Sequence, residues 1–106
     1  MSDSTPPTDA GRAYIERIEG LVGTRDPLEI LSHTVQWLGD IVILHDELTL
    51  RKREPPDRWS IAAVIHHLAD TELVYGYRLR LMLTVDAPVF ERFDQEAWAD
   101  TLSYDW

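Results

Sequence analysis

Apolar and polar positions alternate with a helical period along most of the chain, most clearly over residues 59–84. Here apolar side chains recur every seven residues, with others one turn along. The members of this first apolar column are Ile61, Ile65, Leu68, Tyr75, Leu79 and Met82. The spacing predicts one face of a helix of about six turns. Ser60 precedes the helix and is a suitable N-cap, because its hydroxyl can accept from an unpaired N–H of the first turn.

Other segments predict further helices. Asp26-Pro27-Leu28-Glu29 is typical of a helix start, with an aspartate cap, proline at the first position and a glutamate that can complete a capping box. That helix should run to about His45. The remaining predictions are a flexible tail over 1–10, a short helix over 11–22 closed by Gly20 or Gly23, a connector over 46–57, and a last helix from the Asp94 cap to about Leu102.

These elements predict an all-α helical bundle, with one domain over residues 11–106 after the tail. The long helix has more apolar surface than this chain can cover. A second apolar column, formed by Val74 and Leu81 in line with His67, lies beside the first. One other long helix cannot cover both columns, and large exposed apolar patches mark interfaces. We therefore expect either a homodimer or a bundle completed by further C-terminal helices.

The composition of the chain excludes several classes of function. The formal charge is −9, which argues against nucleic-acid binding, since phosphate contacts need clustered Lys and Arg. The chain has no cysteine, which excludes disulfides and thiolate ligands. No apolar run is long enough to span a membrane, and the N-terminus does not resemble a signal peptide. These features predict a cytoplasmic location with no membrane partner.

The two adjacent histidines of the long helix face different ways. At 100° per residue, His66 lies with Leu73 on the outer side, whereas His67 lies in the second column and faces toward a partner element. His67 is therefore the candidate metal ligand. Asp70 follows three residues later and could hold its second ring nitrogen, as acidic groups beside ligating histidines do. The alternative is a histidine at the edge of the core, bonded to a backbone carbonyl or to Asp70.

Glu72 is a charge on the first column, between Ile65 and Leu79. Such a group must pair with an arginine, lie at the rim, or line a cavity with a raised pKa, where it could act as a base or ligand. His45 is expected to pack in the core or to cap its helix, and His33 to lie near the surface. The four tryptophans are most simply core or interface residues.

Several segments resemble the DinB/YfiT-like superfamily, from residue 12 to residue 104. The segments that carry the resemblance are, in chain order, Arg25–Leu31, Pro56–Ile61, His67–Asp70, Arg78–Thr84 and Phe93–Ala99. The resemblance implies a four-helix bundle in which three histidines hold a divalent metal, such as zinc or nickel. One of them matches His67, and the other two form a His-x-x-x-His pair on the last helix.

The expected activity is metal-dependent hydrolysis, or thiol-dependent transfer, on a small molecule. Nothing in this sequence matches the His-x-x-x-His pair, so the metal site is incomplete in this chain. One protein ligand does not make a stable zinc site. The alternative function is a non-catalytic helical module that works as a homo-oligomer or by binding a partner.

Overall fold

The computed structural model describes residues 6–106 and divides into two compact units, one ending at Asp40 and one from Ile41 to Trp106. All regular structure within residues 6–106 is helical, which confirms the all-α class. The helices are α1 (Asp9–Val22), α2 (Pro27–Leu44), α3 (Glu47–Arg51), α4 (Ile61–Thr84) and α5 (Gln95–Thr101). No helix within the described residues is long and apolar enough to cross a membrane. The single-domain assignment stays a prediction.

Helix α1 begins two residues before the predicted start, because Thr8 provides an N-cap. The Thr8 hydroxyl accepts from the Gly11 N–H at 3.1 Å. Gly23 ends the helix with φ +63°, a conformation that glycine adopts without steric cost. Residues 8–10 of the predicted tail therefore belong to this helix and its cap, while residues 1–5 lie outside the described residues.

Both ends of α2 are closed by the side chains that the sequence indicated. The Asp26 carboxylate accepts from the Leu28 N–H at 3.0 Å at the first turn. At the other end, Nδ1 of His45 lies 2.8 Å from the carbonyl of Ile41. Because a carbonyl only accepts, Nδ1 carries the proton and donates. His45 is exposed, so of its two predicted roles the structure shows helix capping.

The second unit is built around α4, which packs against α3 and α5. Ser60 caps α4 as predicted, with its hydroxyl accepting from the Ala63 N–H at 3.0 Å. Asp94 caps α5 in the same way through the Ala97 N–H at 3.1 Å. The small core of this unit consists of Ala63, Ala99 and Tyr104, with Trp59 and Trp98 packed against it.

The chain turns back onto α4 at the end of α5. Ser103 adopts φ +54°, and the next N–H, that of Tyr104, donates to the carbonyl of Ala99 at 3.1 Å. This is a Schellman-type helix end, in which glycine is the usual left-handed residue. It directs Tyr104 into the core and places Asp105 beside the first turn of α4.

The two apolar columns of α4 differ in exposure. Val74 and Leu81 of the second column are partly buried. In the first column, Tyr75 is 53% exposed, Leu79 56% and Met82 51%. Ile61 and Ile65, at the start of the first column, are also partly buried. The covered side of α4 is therefore the second column together with the start of the first, and the first column is open to solvent from Leu68 onward.

Candidate functional site

His67 lies on the covered side of α4 within an aromatic environment. The edge of its ring meets Trp59 at a centroid distance of 5.1 Å. Its face stacks on Phe93 at 6.2 Å and an interplanar angle of 15°. Helix α4 supplies the histidine, the residue before its N-cap supplies the tryptophan, and the segment before α5 supplies the phenylalanine. The position agrees with the predicted facing of His67 toward a partner element.

The two ring nitrogens of His67 make few hydrogen bonds within the described residues. Nε2 lies 3.5 Å from the Thr71 hydroxyl, at the limit of a hydrogen bond. Nδ1 is buried and has no hydrogen-bond partner among the described residues. A buried polar group without a partner costs about 1–3 kcal/mol, so it calls for an explanation such as a catalytic role or a bound ion.

No hydrogen bond joins Asp70 to His67 within the described residues, and the role of Asp70 beside a ligating histidine stays a prediction. The Asp70 carboxylate instead accepts a short hydrogen bond from the hydroxyl of Tyr104. The helical spacing of three residues places Asp70 near His67, but the Asp70 carboxylate is hydrogen-bonded by Tyr104, which follows the C-terminal end of α5. Burial, together with the hydrogen bond and the charge of Asp70, raises the pKa of Tyr104 to about 12.

His66 is exposed, as its predicted outward facing requires. Its ring stacks on that of Tyr104 at 5.6 Å and 19°. Tyr104 therefore separates the two sides of α4, since it also meets Trp59 edge-on at 6.1 Å. Adjacent histidines of one helix thus have different surroundings, and only His67 lies among aromatic side chains on the covered side.

A second polar group lies at the first turn of α4. The Ser60 hydroxyl, which is buried, donates to the Asp105 carboxylate at 2.5 Å. The other Asp105 oxygen accepts from Nε of Arg53 at 2.7 Å. The Ser60 hydrogen bond and the Arg53 guanidinium hold the pKa of the Asp105 carboxyl below its ordinary value, against a smaller opposing effect of burial. Sequence reasoning missed this group, because its members lie 45 to 52 positions apart.

Glu72 is exposed on the open first column. That exposure agrees with the rim-exposed alternative, and its cavity-lining role stays a prediction. His33 is also exposed, where its ring meets Trp37 at 5.9 Å.

The described residues provide only part of the ligand set that a metal site needs. His67 offers one ring that the protein does not fully satisfy. No group of three or more His, Cys, Asp or Glu side chains that could hold a metal occurs within residues 6–106. Structural and catalytic zinc sites use three or four protein ligands. The described chain therefore supplies one candidate ligand and not a complete site.

A groove of about 710 Å³ adjoins this region. Its walls come from the C-terminal half of α4, the segment 89–94 and Trp98 of α5. Phe93 both lines the groove and stacks on His67. A molecule bound in the groove would therefore lie one side chain away from His67.

The sequence profile of the DinB superfamily matches residues 27–105, about three-quarters of the chain. The chain belongs to the DinB superfamily.

Three curated proteins illustrate its relatives, and each carries the printed name "Putative metal-dependent hydrolase". One from Halalkalibacterium halodurans is 30% identical over 90 residues, covering 74% of this chain and 53% of the relative. One from Oceanobacillus iheyensis is 41% identical over 69 residues, covering 65% and 36%. YfiT of Bacillus subtilis is 36% identical over 42 residues, covering 40% and 24%.

The chain spans about half the length, or less, of these curated relatives. No solved structure matches the chain significantly.

Proposed function

We propose that this protein is a metal-dependent hydrolase, or a thiol-dependent transferase, that acts on a small molecule, with His67 as one of its metal ligands. The observation that carries the proposal is the buried, unpartnered Nδ1 of His67 within an otherwise well-paired unit. Membership of the DinB superfamily and the names of the relatives support a metal. Metal-dependent hydrolases use the ion to lower the pKa of a bound water, which makes a nucleophile near neutral pH.

The proposal requires ligands beyond residues 6–106. The family resemblance implies two further histidines from a His-x-x-x-His pair, for which this chain has no counterpart. The resemblance implies zinc or nickel, and imidazole nitrogens are suitable ligands for both. In this chain, Trp59 and Phe93 keep the His67 ring in one orientation, which is the contribution that the described residues make to the site.

The test is metal analysis of untagged protein expressed from its complete coding sequence. Wild type should carry about one equivalent of zinc or nickel per chain. His67→Ala should lose that metal, and His66→Ala is the matched control, because it removes the neighbouring ring from the exposed side of the same helix. Circular dichroism of each variant shows whether the helices are retained.

Two results would count against the proposal. One is a wild-type protein, expressed and purified with zinc and nickel supplied, that holds no stoichiometric metal. The other is a His67→Ala variant that keeps its metal while His66→Ala behaves in the same way.

A second function, that of a non-catalytic homo-oligomer, is favoured by the exposed part of the first column of α4, from Leu68 to Met82. Light scattering of metal-free protein tests it. A dimer that dissociates on Leu79→Asp but not on Leu73→Asp would support this function, since both leucines are exposed and only Leu79 lies in the column. A monomeric wild type would exclude it.

A further inference from the structure

The groove beside His67 combines apolar walls with two cationic side chains. Its volume of about 710 Å³ falls within the range of small-molecule sites, roughly 300–1,000 Å³. Val74, Leu81 and Trp98 contribute apolar surface, and Arg78 and Arg92 contribute guanidinium groups. The chain has 10 Lys and Arg against 19 Asp and Glu, whereas the groove lining carries two arginines and two acidic residues and is formally neutral.

Neither arginine is neutralised by a carboxylate of the described residues. The ion pairs within residues 6–106 involve Arg12, Arg51, Lys52 and Arg53. Arg92 is exposed and Arg78 is partly buried. A partly buried guanidinium without a carboxylate partner retains its attraction for an anion, because it is less screened than a charge in open water.

Arg78 is also held in a fixed orientation. Its Nη2 donates to the carbonyl of Glu91 at 2.7 Å. The guanidinium lies over the ring of Tyr75 at 5.3 Å and over that of Phe90 at 5.5 Å. Within the described residues this hydrogen bond uses one of the five N–H donors, which leaves the others for a ligand. A planar, pre-oriented guanidinium suits bidentate recognition of a carboxylate.

Two acidic residues, Glu91 and Asp94, also line the groove, but neither forms an ion pair with Arg78 or Arg92 within the described residues. Asp94 directs Oδ1 to its own helix, where it accepts from the Ala97 N–H at 3.1 Å. Glu91 presents its backbone carbonyl to Arg78, and no ion pair joins its exposed side chain to either groove arginine within the described residues.

We infer that the groove binds a small carboxylic acid, with its aromatic or aliphatic body against Val74, Leu81 and Trp98 and its carboxylate at Arg78 and Arg92. Phe93 then separates the ligand from His67 by one ring. As a statement of substrate class, this inference rests on the proposed function, while the binding itself needs no metal.

The experiment compares two probes of the same shape, 4-phenylbutyrate and its uncharged amide, on metal-free protein expressed from the complete coding sequence. Dissociation constants come from calorimetry or ligand-observed NMR. The carboxylate should bind at least tenfold more tightly than the amide. Arg78→Gln and Arg92→Gln should each reduce that preference several-fold. Arg80→Gln is the matched control, because Arg80 also donates to a backbone carbonyl on α4 but lies outside the groove.

Equal affinity for the two probes would overturn the inference, as would no measurable binding of the carboxylate. The inference would also be overturned if Arg78→Gln and Arg92→Gln both kept the full preference for the carboxylate over the amide. Arg92 is exposed, so Arg92→Gln keeps the test decisive if Arg78→Gln disturbs the segment around Glu91. Because the binding experiment uses metal-free protein, its result does not depend on whether His67 binds a metal. Failure to bind the carboxylate would therefore not contradict the proposed metal site, and absence of metal in the protein would not contradict carboxylate binding.

Discussion

Replacing Tyr104 by phenylalanine should destabilise the second unit substantially, although it removes a single oxygen atom. Tyr104 is 3% exposed, and its hydroxyl donates to the carboxylate of Asp70. The phenylalanine ring keeps the apolar contacts with Trp59 and His66, so the variant isolates the hydrogen bond. No other acidic side chain of the described residues shares that hydroxyl.

The size of the effect follows from the charge and exposure of the acceptor. A hydrogen bond to a charged group contributes about 1.5–3 kcal/mol to folding. Asp70 is only partly buried, so water can replace part of the lost bond, and the lower half of that range applies. We expect Tyr104→Phe to reduce the free energy of unfolding by about 1.5–2 kcal/mol. For a domain of 60–100 residues, that corresponds to a fall in Tm of roughly 6–16 °C.

The assay is urea unfolding followed by circular dichroism, with the slope m compared between variants to confirm that the unfolded reference is unchanged. Tyr77→Phe is the control, because Tyr77 lies in the same unit and is 64% exposed. A double-mutant cycle with Asp70→Ala separates the bond from the packing. In the Asp70→Ala background, Tyr104→Phe should cost less than about 0.5 kcal/mol, because its partner is already absent.

The reasoning would be refuted if Tyr104→Phe matched Tyr77→Phe to within about 0.5 kcal/mol, near the limit at which independent substitutions are additive. It would also fail if the cost of Tyr104→Phe were the same with and without the Asp70 carboxylate.

Two pH-dependent predictions follow from the same region. In an absorbance titration at 295 nm, one tyrosine should ionise near pH 12, and Tyr104→Phe should remove that step. The protonated Tyr104 hydroxyl stabilises the fold below pH ~10, and this stabilisation is lost as the pH rises toward 12. The pKa of Asp105 is lower in the folded protein than in the unfolded chain. The Asp105 carboxylate therefore stabilises the fold at pH values above the unfolded pKa, and this stabilisation is lost as the pH falls through the folded pKa. Asp105→Asn should therefore cost about 1 kcal/mol near pH 6 in urea unfolding, and the cost should decrease as the pH is lowered below the ordinary range of a carboxyl pKa. A cost that does not change with pH would contradict the assigned charge.

Local features of this fold could be predicted from the sequence because their causes lie within a few residues. Ser60 and Asp94 cap their helices through N–H groups three positions away. His66 and His67 differ by 100° on one helix, so their different exposure follows from helical geometry alone. Gly23 ends α1 for an equally local reason, the positive φ that follows its last turn.

The partners of these residues could not be predicted in the same way. Helical periodicity places two apolar columns on α4 but does not say which one α5 covers. The hydrogen bond from Tyr104 to Asp70 joins positions 34 apart, and that from Ser60 to Asp105 positions 45 apart. One sequence signal was present: an apolar residue two places after a helix end commonly packs back against the helix. Applied to Tyr104, it would have indicated the C-terminal contact, although not the carboxylate that receives its hydroxyl.

The left-handed Ser103 has a consequence for how α4 opens. It directs two consecutive side chains onto this helix, where they reach Ser60 and Asp70. At 1.5 Å per residue these anchor points are about 15 Å apart along the axis. The first ten residues of α4 are thus held at both ends, while the later turns, which carry one wall of the groove, are held through the hydrogen bond from Arg78 to the carbonyl of Glu91. Amide hydrogens should accordingly exchange slowest before Asp70 and fastest beyond Arg78, so the helix frays from its C-terminal end.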